Sequence, residues 1–214
     1  MKTIGIIGSG MVSQALADGL LRHGYGVMRG SRDASKLSDW QKSAGPNARI
    51  GSFAETAKFG EIVILAVKGT AAESAISACG DALNGKTVID TTNPIADAPP
   101  VNGVLRFFTD LNQSLMEQLQ SKFPTVNFVK AFSCVGNAFM IDPDFGATRP
   151  TMFICGNDNA AKAAVSSLLA EVRWDVADMG SVEAARAIEP LCMLWCIPGL
   201  RGGSWAHAFA LLRK

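Results

Sequence analysis

A doubly wound α/β fold on a mainly parallel sheet is predicted by three features of the sequence. Short apolar runs alternate with segments of helical periodicity over the first two-thirds of the chain. One run, residues 62–67, is apolar at six consecutive positions, and a glycine-rich turn separates the first run from the first helical pattern. Strands alternating with helices give a parallel sheet with right-handed crossovers, and an unbroken apolar strand is what a sheet covered on both faces requires.

The elements follow in order. Ile4, Ile6 and Ile7 make a buried first strand. After Gly10, the residues Val12, Ala15, Leu16, Gly19, Leu20 and His23 recur at helical spacing, so one helix face packs on a sheet. Gly24 stops that helix. Residues 26–29 read as the second strand, Arg49-Ile50 as a short third and 62–67 as the fourth, with two more at 87–90 and 127–132. Residues 93–110, with Pro94, Pro99, Pro100 and Gly103, form a loop long enough to be functional. A second Pro/Gly loop at 142–150 precedes a strand at 151–155, a helix at 159–172 and a strand at 174–178. A helical tail is expected from about residue 181 to the end, broken near Pro198-Gly199, with Trp205, Ala208, Phe209 and Leu212 on one face of its last piece. The expected division is residues 1–134 as the main domain and 135–214 as a small C-terminal α/β-helical subdomain that completes a substrate pocket.

Composition narrows the function classes. Apolar side chains make up 48% of 214 residues, which excludes a disordered chain. With 20 Lys and Arg against 19 Asp and Glu, no cation surplus exists to neutralise phosphates in a row, so neither nucleic acid nor an anionic membrane is an expected partner. The five cysteines form no Cys-x-x-Cys pair, which argues against a disulfide framework or structural zinc, and Cys192 and Cys196 read as buried apolar residues. The apolar run at the start stops at Gly8, too soon for a signal peptide, and no run is long enough to span a bilayer. The expectation is a reduced, cytoplasmic protein.

Gly8-Ser9-Gly10-Met11-Val12-Ser13 follows a strand and opens a helix, the place of a Rossmann-type dinucleotide fingerprint. Gly8 permits the tight turn, Gly10 lets the backbone approach a pyrophosphate, and the helix N-terminus holds the anion. Ser13 stands where the pattern has its third glycine. At the end of the second strand, NAD sites place a carboxylate for the ribose hydroxyl. Here the stretch is Gly30-Ser31-Arg32-Asp33 with Lys36 one turn on. Gly30 leaves room, Ser31 donates, and Arg32 and Lys36 bring two cations to a 2′-phosphate, so the expected cofactor is NADP. An inward Asp33 would instead suit a free ribose. Ala66, Val67 and Lys68 close the fourth strand, and Asn93 and Pro94 follow the fifth. By the rule that ligands lie beyond the carboxyl ends of strands, these five also line the cofactor.

No residue reads as catalytic. His23 and His207 sit on helical patterns, no metal-ligand spacing occurs, and only Lys130 and Cys134 flank a strand end, where a solvated lysine and a core cysteine are the ordinary readings. Reducing a carbonyl or imine needs a proton donor beside the new alkoxide or amine. Hydride transfer to a flavin-like ring needs mainly contact, because the cofactors carry the chemistry. Residues 135–214 are also too few for the large helical domains of six-phosphogluconate-type and ketoacid-type reductases.

In order along the chain, Gly8-Ser9-Gly10, Gly30-Ser31-Arg32, Lys130-Ala131-Phe132, Arg149-Pro150-Thr151 and Glu189-Pro190-Leu191 through Trp195 resemble the coenzyme F420-dependent NADP oxidoreductase family, in its bacterial branch. The resemblance implies hydride exchange between NADPH and a deazaflavin stacked on the nicotinamide, with Ser9 to Val12 on the pyrophosphate and Ser31, Arg32 and Lys36 on the 2′-phosphate. Ser133 stands where bacterial relatives commonly carry Asn, and a related domain in metalloreductases passes hydride to ordinary flavin. The expected second substrate is therefore a small-molecule electron carrier, a deazaflavin or FMN or FAD. An NADP(H)-binding sensor without turnover and a small imine or carbonyl reductase are the other readings. For the apolar tail residues Trp195, Trp205 and Phe209, a homodimer interface and packing back on the chain's own sheet are equal expectations.

Overall fold

The computed structural model describes residues 1–214. Its six-stranded sheet comprises β1 (Thr3–Ile7), β2 (Gly26–Gly30), β3 (Ala48–Gly51), β4 (Ile62–Leu65), β5 (Thr87–Asp90) and β6 (Asn127–Lys130). The strands lie in the order β3-β2-β1-β4-β5-β6, and every neighbouring pair is parallel. Winding reverses between β1 and β4, so the switch point falls where the chain leaves β1. That is where the glycine-rich turn sits.

Alternation along the strands builds a core on each face. Ile64 of β4 joins Ile4, Ile6, Leu16 and Leu20 on one side, while Val63 and Leu65 join Ile7, Ala57, Leu115 and Leu119 on the other. The first face is covered by α1 (Met11–Arg22) and α6 (Asn159–Glu171). The second is covered by α3 (Phe53–Phe59), α4 (Ala72–Ser77) and α5 (Leu115–Lys122). α2 (Ser38–Ala44) brings Trp40 to the first core. Val135, Met152, Leu168 and Trp174, all beyond residue 134, pack into that same core with Ile6 and Leu16.

Strand ends shift where the backbone turns. The fourth run stops pairing at Leu65, and the sixth stops at Lys130 because Phe132 takes a left-handed φ of 59°. β7 (Thr151–Ile154) and β8 (Asp175–Asp178) form a separate parallel pair, joined to β6 by an antiparallel bridge between Lys130 and Cys155. No helix is long and apolar enough to cross a membrane.

The tail departs from its sequence reading. α7 (Ala185–Leu200) runs through both Pro190 and Pro198, and residues 201–214 are not helical. The stop comes at Gly202, with φ of 85°, and Gly203, whose N–H returns to the Pro198 carbonyl at 2.9 Å. Beyond it the chain lies along β7, where Thr151 N–H donates to the Phe209 carbonyl at 2.8 Å and Leu211 N–H to Thr151 Oγ1 at 2.9 Å. Backbone groups that a last helical piece would have satisfied internally find partners on a strand instead.

Candidate functional site at the carboxyl ends of the strands

Hydrogen bonds just past the strands set the site's order. Gly8 N–H donates to the Gly30 carbonyl at 2.9 Å, Ala66 N–H to Ile7 at 2.8 Å, Thr91 N–H to Leu65 at 3.3 Å and Ala131 N–H to Asp90 at 3.1 Å. The segments Gly8 to Val12, Ser31 to Lys36, Ala66 to Lys68 and Asn93-Pro94 are thereby brought to one edge of the sheet, beside residues 131–135.

Gly8 has φ of +144°, and a Cβ there would lie 2.1 Å from the Ala66 carbonyl oxygen. The turn needs glycine both for conformation and for room. Gly10 differs: it is the N-cap of α1, and a Cβ on it would meet nothing within 4 Å, so the space above it is open to a ligand. No side chain caps α1 and no acid lies in its first turn. Ser9 and Met11 are exposed and Val12 is half-buried. Ser13, which departs from the glycine pattern, is fully buried and donates from Oγ to the Gly8 carbonyl at 2.7 Å. Behind it lies Arg29, 1% exposed, whose Nε donates to Ser13 Oγ at 3.0 Å and whose Nη2 donates to the Gly10 carbonyl at 3.3 Å. The guanidinium also lies 4.7 Å from the Trp40 ring. Sequence reasoning passed over Arg29, although an arginine inside a strand of an otherwise apolar parallel sheet was a visible anomaly.

At the end of β2, Ser31 is buried, while Arg32 and Lys36 are exposed and neither joins an ion pair. Asp33 caps the short turn at 34–37, accepting from Ser35 N–H at 3.1 Å and Ser35 Oγ at 2.6 Å. The Ser35 hydroxyl holds that carboxyl below its usual range, so Asp33 is engaged locally. Gly30 is corrected: a Cβ there would stand 2.6 Å from Thr56 Oγ1, so its missing side chain makes room for α3 and not for a cofactor.

Ala66 is buried, Val67 half-buried and Lys68 exposed; the Lys68 ammonium lies 3.4 Å from Asp97 in an open pair. Such a pair constrains little. Pro94 is buried. Asn93 Nδ2 donates to the Ser133 carbonyl at 2.8 Å, which joins the ends of β5 and β6. Asn93 Oδ1 and Ser133 Oγ are both buried without a hydrogen-bond partner. Orphaned atoms of this kind cost free energy unless a ligand or water meets them.

Lys130 is neither solvated nor a proton donor. Its ammonium is fully buried, 2.6 Å from Asp90 Oδ2 and 2.9 Å from Glu189 Oε1, and it also donates to the Thr92 carbonyl at 2.9 Å. Burial alone would lower its pKa, but the two carboxylates overcome that and push it above the usual lysine value. Cys134 is core, its thiol pushed up to about 12 by burial. Cys192 is buried and Cys196 half-buried. Both histidines are engaged, His23 Nε2 with Asp142 at 2.9 Å and His207 Nε2 with the Trp195 carbonyl at 2.8 Å.

A cavity of about 530 Å³ opens beside Val12, walled by Val135, Phe139, Trp195, Ser204 and Trp205. None of its lining residues carries an ionisable side chain. Trp195 and Trp205 lie with ring centroids 5.3 Å apart, and Trp195 Nε1 donates to the His207 carbonyl at 2.8 Å, which ties the tail to α7. A second depression of about 400 Å³, between α1 and α2 at Gln14, Asp18 and Trp40, lies away from the strand ends.

Comparison with known proteins places the chain among its relatives. A family model described as NADP oxidoreductase coenzyme F420-dependent matches residues 3–94. Metalloreductase STEAP3 of Rattus norvegicus is 31% identical over 204 residues, 92% of this chain and 38% of that protein. The chain thus spans only about two fifths of the metalloreductases it matches. The F420-dependent NADP reductase of Methanocaldococcus jannaschii is 30% identical over 141 residues, 65% of this chain and 62% of that one. A crystal structure from Arthrobacter sp. FB24, whose name proposes an F420-dependent NADP-reductase, superposes with a TM-score of 0.90 at 30% identity, covering 100% of both chains. With its glycine turn at the switch point of a six-stranded parallel sheet, the chain belongs to the coenzyme F420-dependent NADP oxidoreductase family.

Proposed function

We propose that the protein transfers hydride between NADPH and a flat, conjugated acceptor of the deazaflavin or flavin class, which occupies the cavity beside Val12. The observation that carries this reading is the lining of that cavity: mostly apolar and aromatic side chains adjoining the cofactor turn, with Asn137 and Ser204 as its polar side chains and no ionisable group. A conjugated ring spreads the incoming charge over itself, so it needs contact and orientation more than a protein acid. The family and the methanogen reductase favour a deazaflavin within that class.

Each part of NADP(H) meets a fitting group. The open space over Gly10 and the uncapped start of α1 suit the diphosphate on Gly8, Ser9, Gly10, Met11 and Val12. Arg32 and Lys36, both free of ion pairs, and the Ser31 hydroxyl suit the 2′-phosphate. Ala66, Val67, Lys68 and Pro94 border the path from the diphosphate toward Asn93. The unpartnered Asn93 Oδ1 and Ser133 Oγ are an acceptor and a donor for a carboxamide. When bound, the nicotinamide supplies or receives the hydride; the protein holds it against a water-poor wall. In this reading residues 135–214 complete the acceptor pocket through Val135, Phe139, Trp195 and Trp205.

A small imine or carbonyl acceptor would require a proton donor; of the two candidates in the sequence, Lys130 is sealed between carboxylates and Cys134 is buried in the core. Five free cysteines, four of them buried, suit a reducing compartment such as the cytoplasm. Trp195 is only 7% exposed, which removes it as a surface for self-association. Exposed apolar side chains that a second copy would cover include Trp205, Val101, Val104 and Phe108, with Leu194 and Leu200 of α7. Light scattering of the purified chain decides whether it pairs.

Stopped-flow mixing of NADPH with a deazaflavin, FMN and FAD tests the hydride assignment. Transfer to at least one, fastest to the deazaflavin, is the expected result. Tight NADPH binding with no transfer to any would favour a sensor without turnover.

A further inference from the structure

We infer that Arg29, acting through Ser13 and the Gly10 carbonyl, is a positioning residue that aims the Ser9 and Met11 amides at the cofactor diphosphate. The inference rests on the reading above that NADP(H) lies on this turn, and it assigns the turn's orientation to a buried cation outside the glycine motif.

The argument is one of peptide geometry. In a trans peptide the C=O and N–H point in opposite directions, and the chain has no cis peptide bond. The Gly8 carbonyl is drawn inward by Ser13 Oγ at 2.7 Å, so the N–H of Ser9 in the same peptide faces outward. The Gly10 carbonyl is drawn inward by Arg29 Nη2 at 3.3 Å and by the Gln14 N–H at 3.0 Å, so the Met11 N–H faces outward as well. Neither outward amide has an acceptor within the chain. Ser13 can hold Gly8 only while its hydroxyl is turned that way, and the Arg29 Nε–H at 3.0 Å takes the opposite lone pair and keeps it there. Arg29 is held in turn: it lies over Trp40, and Trp40 Nε1 donates to Asp18 Oδ1 at 2.7 Å. The serine at the position of the third glycine is therefore the relay that links a buried guanidinium to the turn.

A purely structural arginine would leave cofactor binding unchanged in a folded variant, or weaken both halves of the cofactor alike. Calorimetric titration of wild type, Arg29→Met and Ser13→Ala with NADPH and with adenosine 2′-monophosphate, which lacks the diphosphate, separates the cases. The expected result is a loss of about tenfold or more in NADPH affinity for both variants, with adenosine 2′-monophosphate affinity changed less than about twofold. Ser13→Ala keeps the question open to test should Arg29→Met fail to fold, since it breaks the relay without removing the buried charge. Equal losses for the two ligands, or unchanged NADPH affinity in a folded variant, would overturn the positioning role. No NADPH binding by the wild-type protein would instead remove the underlying placement of the diphosphate.

Discussion

Glu189 Oε1 stands 2.9 Å from Lys130 Nζ, and both side chains are sealed from solvent. The same carboxylate accepts the Leu115 N–H at 2.9 Å and the Met116 N–H at 3.0 Å, so it also caps the first turn of α5. One side chain of α7 thus ties together β6 and α5, with Asp90 of β5 as the second anion on the lysine. Two carboxylates on one ammonium are tolerable in the interior because the amides of a helix start share the excess negative charge.

Breaking this group should cost stability before it costs chemistry. Glu189→Leu leaves two amides without an acceptor and weakens the compensation of Lys130, at an expected cost of about 3–5 kcal/mol in urea unfolding. Glu189→Gln keeps an acceptor oxygen and should cost less. Lys130→Ala would strand two buried carboxylates, so its activity is informative only alongside a measurement of folding; an undiminished urea midpoint would contradict the description of the site.

Alkaline pH should destabilise the fold through its buried thiols. Burial pushes Cys134 and Cys155 up to about 12, against about 8.5 in an unfolded chain. The folded state keeps a proton that the unfolded state has lost. Each thiol's contribution is therefore complete below about pH 8.5 and lost as pH rises toward the folded value. By pH 10 the loss is about 2 kcal/mol per thiol. Thermal melts under reducing conditions should show Tm falling across that window, with a shallower slope for Cys134→Ala; equal slopes would rule out the thiol as the cause.

Coenzyme choice should depend on Arg32 more than on Lys36. Arg32→Ala is expected to weaken NADPH by about tenfold or more and NADH by less than about twofold, while Lys36→Ala has a smaller effect in the same direction, because a guanidinium fork matches a phosphate better than an ammonium does. Fluorescence titration with the two coenzymes reads the difference, and parallel losses would remove the 2′-phosphate assignment.

Acceptor binding should depend on Trp205. It is 44% exposed at the cavity wall and rests against Gly199 of α7. Trp205→Ala should raise KM for the acceptor by roughly tenfold while leaving NADPH affinity unchanged. A loss confined to NADPH would place the acceptor elsewhere.

Local pattern was enough to read the strands, the first helix and the place of the glycine turn between them, because burial on a sheet imposes a period and a tight strand-to-helix turn imposes glycine. Those signals are carried by neighbouring residues. The roles of Arg29, Ser13, Lys130, Glu189 and the tail were settled only when distant segments met. Ser13 looked like a defect in a motif until Arg29 of the next strand reached its hydroxyl. Lys130 looked solvated until Asp90 and Glu189 closed on it. Residues 201–214 carried a helical pattern, yet β7 offered their backbone better partners. Periodicity reports which side of an element is covered; it carries no record of what covers it, and a buried charge or an unpaired peptide depends wholly on that partner.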